Sequence, residues 1–229
     1  MTGLPIAKVI SKLRWQVAAA IAAAVLLAAG AAYATTSELS QEIQSGTITA
    51  DILDQSRDTV ANPAFGLPEQ DFSFDCQTST ATNGFGTDTQ RIYVTNPSDA
   101  TGGWSLSVAA TGGEGAEWTG DATSATMAYN DPSGSPAGCD NGQMTIDPGA
   151  SGSALVADCE TCSTSNISQG SSASFESGVV DDITLLTATG DADAVWRGYL
   201  TGATLSQTIP GETPADTFTM DLTLTVTAN

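Results

Sequence analysis

The chain reads as an all-β protein, an antiparallel β-sandwich preceded by a cleaved or anchoring N-terminal signal helix. Three observations lead there. Short apolar stretches alternate with Thr, Ser and Asp at a period of two, the pattern of strands with one dry and one wet face. Gly, Pro, Asn and Asp punctuate them at intervals that suit a sandwich or barrel. No amphipathic helical pattern follows the first 34 residues.

The N-terminus comes first. Lys8, Lys12 and Arg14 form a positive segment, and an apolar run follows from about Val17 to Ala32. Ala32-Tyr33-Ala34 then supplies the small-x-small pattern of a signal-peptidase site. This order is that of a secretory signal peptide. An uncleaved anchor would need a span of about 20 residues, and the run is slightly short for it. Residues 1–34 are therefore expected to direct export, and they are the chain's one expected membrane contact. The rest is expected to be secreted or at the cell surface. Residues 35–70 are expected to form an N-terminal β extension and residues 71–229 the sandwich.

The clearest strand lies near the C-terminus. Phe218, Met220, Leu222, Leu224 and Val226 alternate with Thr219, Asp221, Thr223 and Thr225. Ile48, Ala50 and Ile52 show the same pattern, as do Phe72, Phe74 and Cys76. Further pairs or triplets occur at Ile92 and Val94, at Trp104, Leu106 and Val108, at Met144 and Ile146, at Ile183 and Leu185, and from Trp196 to Leu200. Asn96-Pro97-Ser98-Asp99, Asp131-Pro132-Ser133-Gly134, Asp147-Pro148-Gly149 and Ile209-Pro210-Gly211 read as turns between them. Trp104 and Trp196 alternate with apolar neighbours and are assigned to the core. Trp118, after Gly115-Ala116-Glu117, is assigned to a more exposed loop or strand end.

Charge removes several function classes. Beyond residue 34 there are three arginines, no lysine and 26 acidic residues, a formal charge of −23. Nucleic-acid binding needs Lys and Arg to displace counterions from phosphates, so nucleic acid is not an expected partner. Bound divalent cations or a salty medium would relieve the self-repulsion of such a chain. There is no His, which removes Ser-His and Cys-His nucleophiles. Asp181-Asp182 and Asp191/Asp193 offer carboxylate pairs, but in a chain this acidic such pairs arise by chance. No catalytic residue is assigned, and the protein is expected to be a non-enzyme.

Four cysteines remain: Cys76, Cys139, Cys159 and Cys162. An even number in an exported chain points to disulfides, and four allow three connectivities. The expected one pairs Cys139 with Cys159 or Cys162 and Cys76 with the other. Cys159-Glu160-Thr161-Cys162 is also a C-x-x-C, but the redox reading needs a helix start in a βαβ context that the sequence lacks. Calcium takes six to eight hard oxygens. Asp131, Asp140 and Asn141 bracket a turn-rich loop and are the candidate calcium ligands. Asn166-Ile167-Ser168 is a glycosylation sequon.

Trp104-Ser105-Leu106 is a literal W-x-L, and Asp221-Leu222-Thr223-Leu224-Thr225-Val226 stands near the chain end. The arrangement over about Cys76 to Asn229 resembles the WxL domain of Gram-positive surface proteins. The resemblance implies non-covalent association with the cell wall, with Trp104, Leu106, Leu222 and Leu224 as motif residues. It departs from the family where Leu224 replaces the distal Trp. Gly46-Thr47-Ile48-Thr49-Ala50-Asp51 is similar to the early strand of camelysin-like matrix fibre proteins. That likeness implies a self-assembling extracellular subunit in which residues 35–55 complete a neighbouring copy by β-augmentation. The expected partners are thus cell-wall glycan, surface proteins or a second copy of the chain.

Overall fold

The structure, a computed structural model, describes residues 41, 43–98, 102–134 and 141–229. Residues 1–34, Cys139 and Asp140 lie outside the described residues. Residues 44–229 form one compact unit. No described helix is long and apolar enough to cross a membrane.

The expected all-β fold is present, and every strand pair is antiparallel. In chain order the strands are β1 (Thr49–Leu53), β2 (Gln77–Phe85), β3 (Arg91–Asn96), β4 (Trp104–Ala110), β5 (Trp118–Gly120), β6 (Thr126–Met127), β7 (Met144–Asp147) and β8 (Ala154–Ala157). Then come β9 (Ile167–Gln169), β10 (Ala173–Ser174), β11 (Asp182–Ala188), β12 (Trp196–Thr201), β13 (Ala203–Ile209), β14 (Phe218–Thr219) and β15 (Leu222–Ala228). They form three four-stranded sheets, β1-β3-β12-β8, β10-β7-β13-β2 and β15-β4-β11-β9, and a small sheet β14-β5-β6.

The three larger sheets enclose one shared core. Ile92, Val94 and Leu200 come from the first, Met144, Ile146 and Leu205 from the second, and Leu106, Val108 and Ile183 from the third. Strict alternation explains why these residues meet. Along β4 Trp104, Leu106, Val108 and Ala110 are buried and the residues between them half-buried, as a period of two requires. Trp104 and Trp196 join two sheets, with ring centroids 5.4 Å apart. Such a pair adds about 0.5–1.5 kcal/mol beyond its burial. The Trp196 indole N–H donates to Ser163 O at 2.8 Å. Among the described residues the Trp104 indole N–H has no partner. An unpaired buried donor costs about 1–3 kcal/mol, which the ring packing must offset.

Two sequence expectations change. Phe72, Phe74 and Cys76 do not alternate into a sheet. Residues 66–74 carry no strand, and Phe72 and Phe74 are 52% and 76% exposed. Pro68 removes a backbone donor there, and the segment instead lies against strand β2 through side chains. The run from Phe218 to Val226 is not one strand. It breaks at Met220-Asp221, so that β14 pairs with β5 while β15 pairs with β4. Leu185 and Leu186 are both buried because β11 carries a register shift against β4 between Thr184 and Leu186. Such a bulge turns two successive side chains to one side.

The disulfide expectation is also corrected. Cys159 bonds to Cys162, with a sequence separation of 3 and Cα atoms 5.5 Å apart. The turn after β8 already brings the two residues within disulfide range, so neither is left for Cys139. Cys76 is also disulfide-bonded. A ring this small stabilises by only about 2 kcal/mol in the chain-entropy account.

The W-x-L residues test the core directly. Truncating Trp104 to Ala is expected to cost about 3–5 kcal/mol in urea unfolding. Trp104→Phe, which keeps a ring and removes the unpaired N–H, is expected to cost less than half as much. Equal losses would mean that the N–H is paired after all.

Candidate functional site: an aromatic cleft

The residues singled out by the W-x-L likeness lie on neighbouring strands. Val226 is opposite Leu106 and Ala228 opposite Trp104 in the β15–β4 register. Trp104 and Leu106 are 1% and 0% exposed, and Leu222 and Leu224 pack half-buried against the core. They are placed to build the sheet. None of the four presents an open surface to a large ligand.

The open surface lies elsewhere. A cleft of about 540 Å³ sits between the 65–73 segment and the 210–218 loop, beside strand β2. Its size falls in the range of ligand pockets. Leu67, Phe72, Trp118, Met127 and Phe218 supply its apolar surface, and Gln207 stands beside them. No arginine lines it.

Each wall has a physical reason for its position. The Ser79 hydroxyl on β2 donates to Pro68 O at 2.8 Å and ties down the first wall. Glu212 N donates to Ser73 O at 2.9 Å and joins the two walls at one end. A Cβ on Gly211 would run into Phe74 O, so only glycine permits that approach. Trp118 begins β5 and is half-buried, as its sequence position suggested. Its indole N–H donates to Gln207 Oε1 at 2.9 Å. Gln207 is 1% exposed, and its amide donates to Ala128 O at 3.1 Å and Thr208 O at 2.8 Å. Every strong hydrogen-bonding group of that amide has a partner, which fixes the indole as part of the cleft floor.

Asp216 holds the second wall. Its carboxylate accepts the Thr123 hydroxyl at 2.6 Å, Thr123 N at 2.7 Å, Thr217 N at 2.8 Å and Ala122 N at 3.1 Å. These donors, led by Thr123, hold its carboxyl at about 2, below the usual 3.8. A Cβ on Gly120 would meet that carboxylate at 2.5 Å, so glycine leaves it room. A carboxylate ionised this firmly cannot act as a general acid near neutral pH. The pairs at Asp181-Asp182 and Asp191/Asp193 lie outside the cleft. Asp193 instead accepts from Ser163 N at 2.7 Å, and Asp181 from Gly178 N at 3.2 Å.

The structure joins two of the candidate calcium ligands. Asn141 donates from its amide to Asp131 at 2.8 Å, and Ser133 N donates to the other Asp131 oxygen at 2.8 Å. These bonds lower the Asp131 carboxyl from its ordinary value, with Ser133 the main cause. Among the described residues no group of three or more His, Cys, Asp or Glu is arranged to hold a metal. In the sequon, the Asn166 amide donates to Asp191 O at 2.9 Å.

No protein-family model matches the chain, and no curated protein matches it in sequence. The WxL and camelysin resemblances therefore rest on the residues that carry them.

The sign of the Asp216 effect is fixed by its lowered pKa. The stabilisation is present above 3.8 and is lost as the pH falls towards 2. Asp216→Asn is expected to lower the melting temperature at neutral pH. Thermal unfolding followed from neutral to strongly acid pH should show the gap to wild type closing over that interval. A gap independent of pH would contradict this role.

Proposed function

We propose that this chain is a secreted, non-catalytic cell-surface protein that associates with the cell wall by holding neutral glycan in the aromatic cleft. One observation carries the reading: the cleft combines aromatic faces with amide and carboxylate groups and has no cation. Sugar rings stack on such faces, while their hydroxyl groups match the Glu69 and Asp71 carboxylates and the Gln77 amide of the lining, Gln207 and Asp216 being engaged within the protein. An anionic ligand would meet carboxylates and no counter-charge. The acidity of the whole chain adds to that repulsion. The W-x-L and Leu222–Leu224 strands then form the scaffold of the wall-associated domain, and the cleft forms its contact surface.

A second reading is favoured by one feature. Phe72 and Phe74 stack edge to face at 5.1 Å, and both stand exposed, with Phe72 in the cleft lining. Exposed aromatic pairs often mark protein contacts. β1 pairs with β3 at the edge of its own sheet, and on its outer side residues 59–60 bridge only its C-terminal end. Both features suit a self-assembling matrix or pilus-like subunit.

The test is co-sedimentation of the secreted protein with purified cell-wall sacculi. Wild type is expected to sediment with them and Trp118→Ala to bind at least about tenfold more weakly. Binding unchanged by Trp118→Ala would move the contact away from the cleft. A protein that ignores sacculi and forms large assemblies by light scattering would put the second reading first.

A further inference from the structure

The Cys159–Cys162 disulfide sits where it is hardly needed. It follows β8 at the end of the first sheet, and both flanks of its turn are anchored without it. On one side Asp158 N donates to Arg197 O at 2.8 Å, which continues the β8–β12 ladder. The Arg197 guanidinium donates twice to Asp158 O, at 2.7 and 2.9 Å. Arg57 grips the Asp158 carboxylate with two bonds, at 2.8 and 3.0 Å, and the Tyr93 hydroxyl donates to it at 2.9 Å. On the other side Ser163 N and O are fixed by Asp193 and by the Trp196 indole. Opening the bond therefore leaves the turn in place. The ring it closes is also too short to restrain the unfolded chain by much.

The two sulfurs have different surroundings. Arg197 N donates to Cys159 Sγ at 3.4 Å. Cys162 Sγ lies 3.6 Å from Arg197 O and 3.8 Å from Cys159 O. A backbone N–H favours a thiolate, and carbonyl oxygens favour a protonated thiol that can donate to them. Cys159 Sγ also lies 3.5 Å from Arg197 O, but it alone has the N–H. The charged groups around the turn are Asp158, paired with Arg57 and Arg197, the exposed Glu160, and Asp193, whose carboxylate accepts from Ser163 on the Cys162 side. Asp158, next to Cys159, is thus matched by two guanidinium groups, whereas Asp193 lies on the Cys162 side, where a negative charge disfavours a thiolate.

We propose that Cys159–Cys162 is a thiol–disulfide exchange centre that reacts with small thiols in the folded protein, with Cys159 as the leaving thiolate. An incoming thiolate attacks Cys162 Sγ. A bond forms between the two sulfurs, the Cys159–Cys162 bond breaks, and Cys159 leaves as a thiolate held by Arg197 N. A second thiol then attacks the mixed disulfide and releases Cys162, which takes up a proton. Two thiols are oxidised to one disulfide, and the protein gains a dithiol. A better leaving thiolate makes the first step faster, and this is the step the N–H assists.

The experiment treats the oxidised, full-length secreted protein with dithiothreitol and traps thiols by alkylation. Peptide mass spectrometry reads Cys159–Cys162 and Cys76 separately, and circular dichroism follows the sheets. Cys159–Cys162 is expected to open at least about tenfold faster than the Cys76 disulfide with the β signal unchanged, and to close again in oxidised glutathione. Equal or slower opening, or opening only as the β signal is lost, would overturn the proposal. A second measurement compares single-cysteine variants at neutral pH. Cys159 in Cys162→Ser is expected to alkylate at least about tenfold faster than Cys162 in Cys159→Ser. Equal or reversed rates would overturn the assignment of Cys159 as the leaving thiolate.

Discussion

A chain with 26 acidic residues and only three arginines beyond its first segment has few ion pairs available to hold it together. Its acids repel one another, and that repulsion must be overcome by burial of apolar surface. Among the described residues both ion pairs converge on a single carboxylate, Asp158. The other acids find a different use. Asp54, Asp131, Asp147, Asp193 and Asp216 accept backbone N–H groups in turns. The acidity is thus compatible with a tight β fold because many carboxylates serve as turn acceptors.

That constraint shapes the rest. With cations scarce, compaction falls to a core drawn from three sheets and centred on the Trp104–Trp196 contact. The outer face of the first sheet carries Arg91, Tyr93 and Tyr199, with the Arg91 guanidinium 4.4 Å from the Tyr199 ring centroid. Arg57, Arg197 and Asp158 close over the buried Tyr93. All three arginines beyond residue 34 are therefore used on one sheet face, and none remains for the cleft. The cleft is left aromatic and acidic, which is why its expected ligand is neutral.

Much of the strand content was readable in the sequence, because a period of two needs no long-range information. Ile92 and Val94, Trp104 to Val108 and Trp196 to Leu200 lie in strands with the expected faces inward. The failures have a common origin in tertiary context. Phe72 and Phe74 alternate like a strand, yet β2 is already paired on one side with β13 and meets this segment through Ser79 and Pro68. Met220-Asp221 interrupts an apparently continuous strand because its two halves join different sheets. The cleft was not legible at all. Its walls come from residues 65–73, 118, 127 and 207–218, and no local pattern links them. The one available signal was Trp118, the single tryptophan beyond residue 34 assigned away from the core.

The central claim is that Trp118 meets a neutral glycan while the other two tryptophans beyond residue 34 hold the core. The most direct measurement is NMR of the indole N–H signals during titration with wall-derived oligosaccharides. The Trp118 signal should move saturably, because its N–H sits in the cleft floor against Gln207, and those of Trp104 and Trp196 should stay in place. A titration in which Trp118 stays still, or all three move together, would contradict the account.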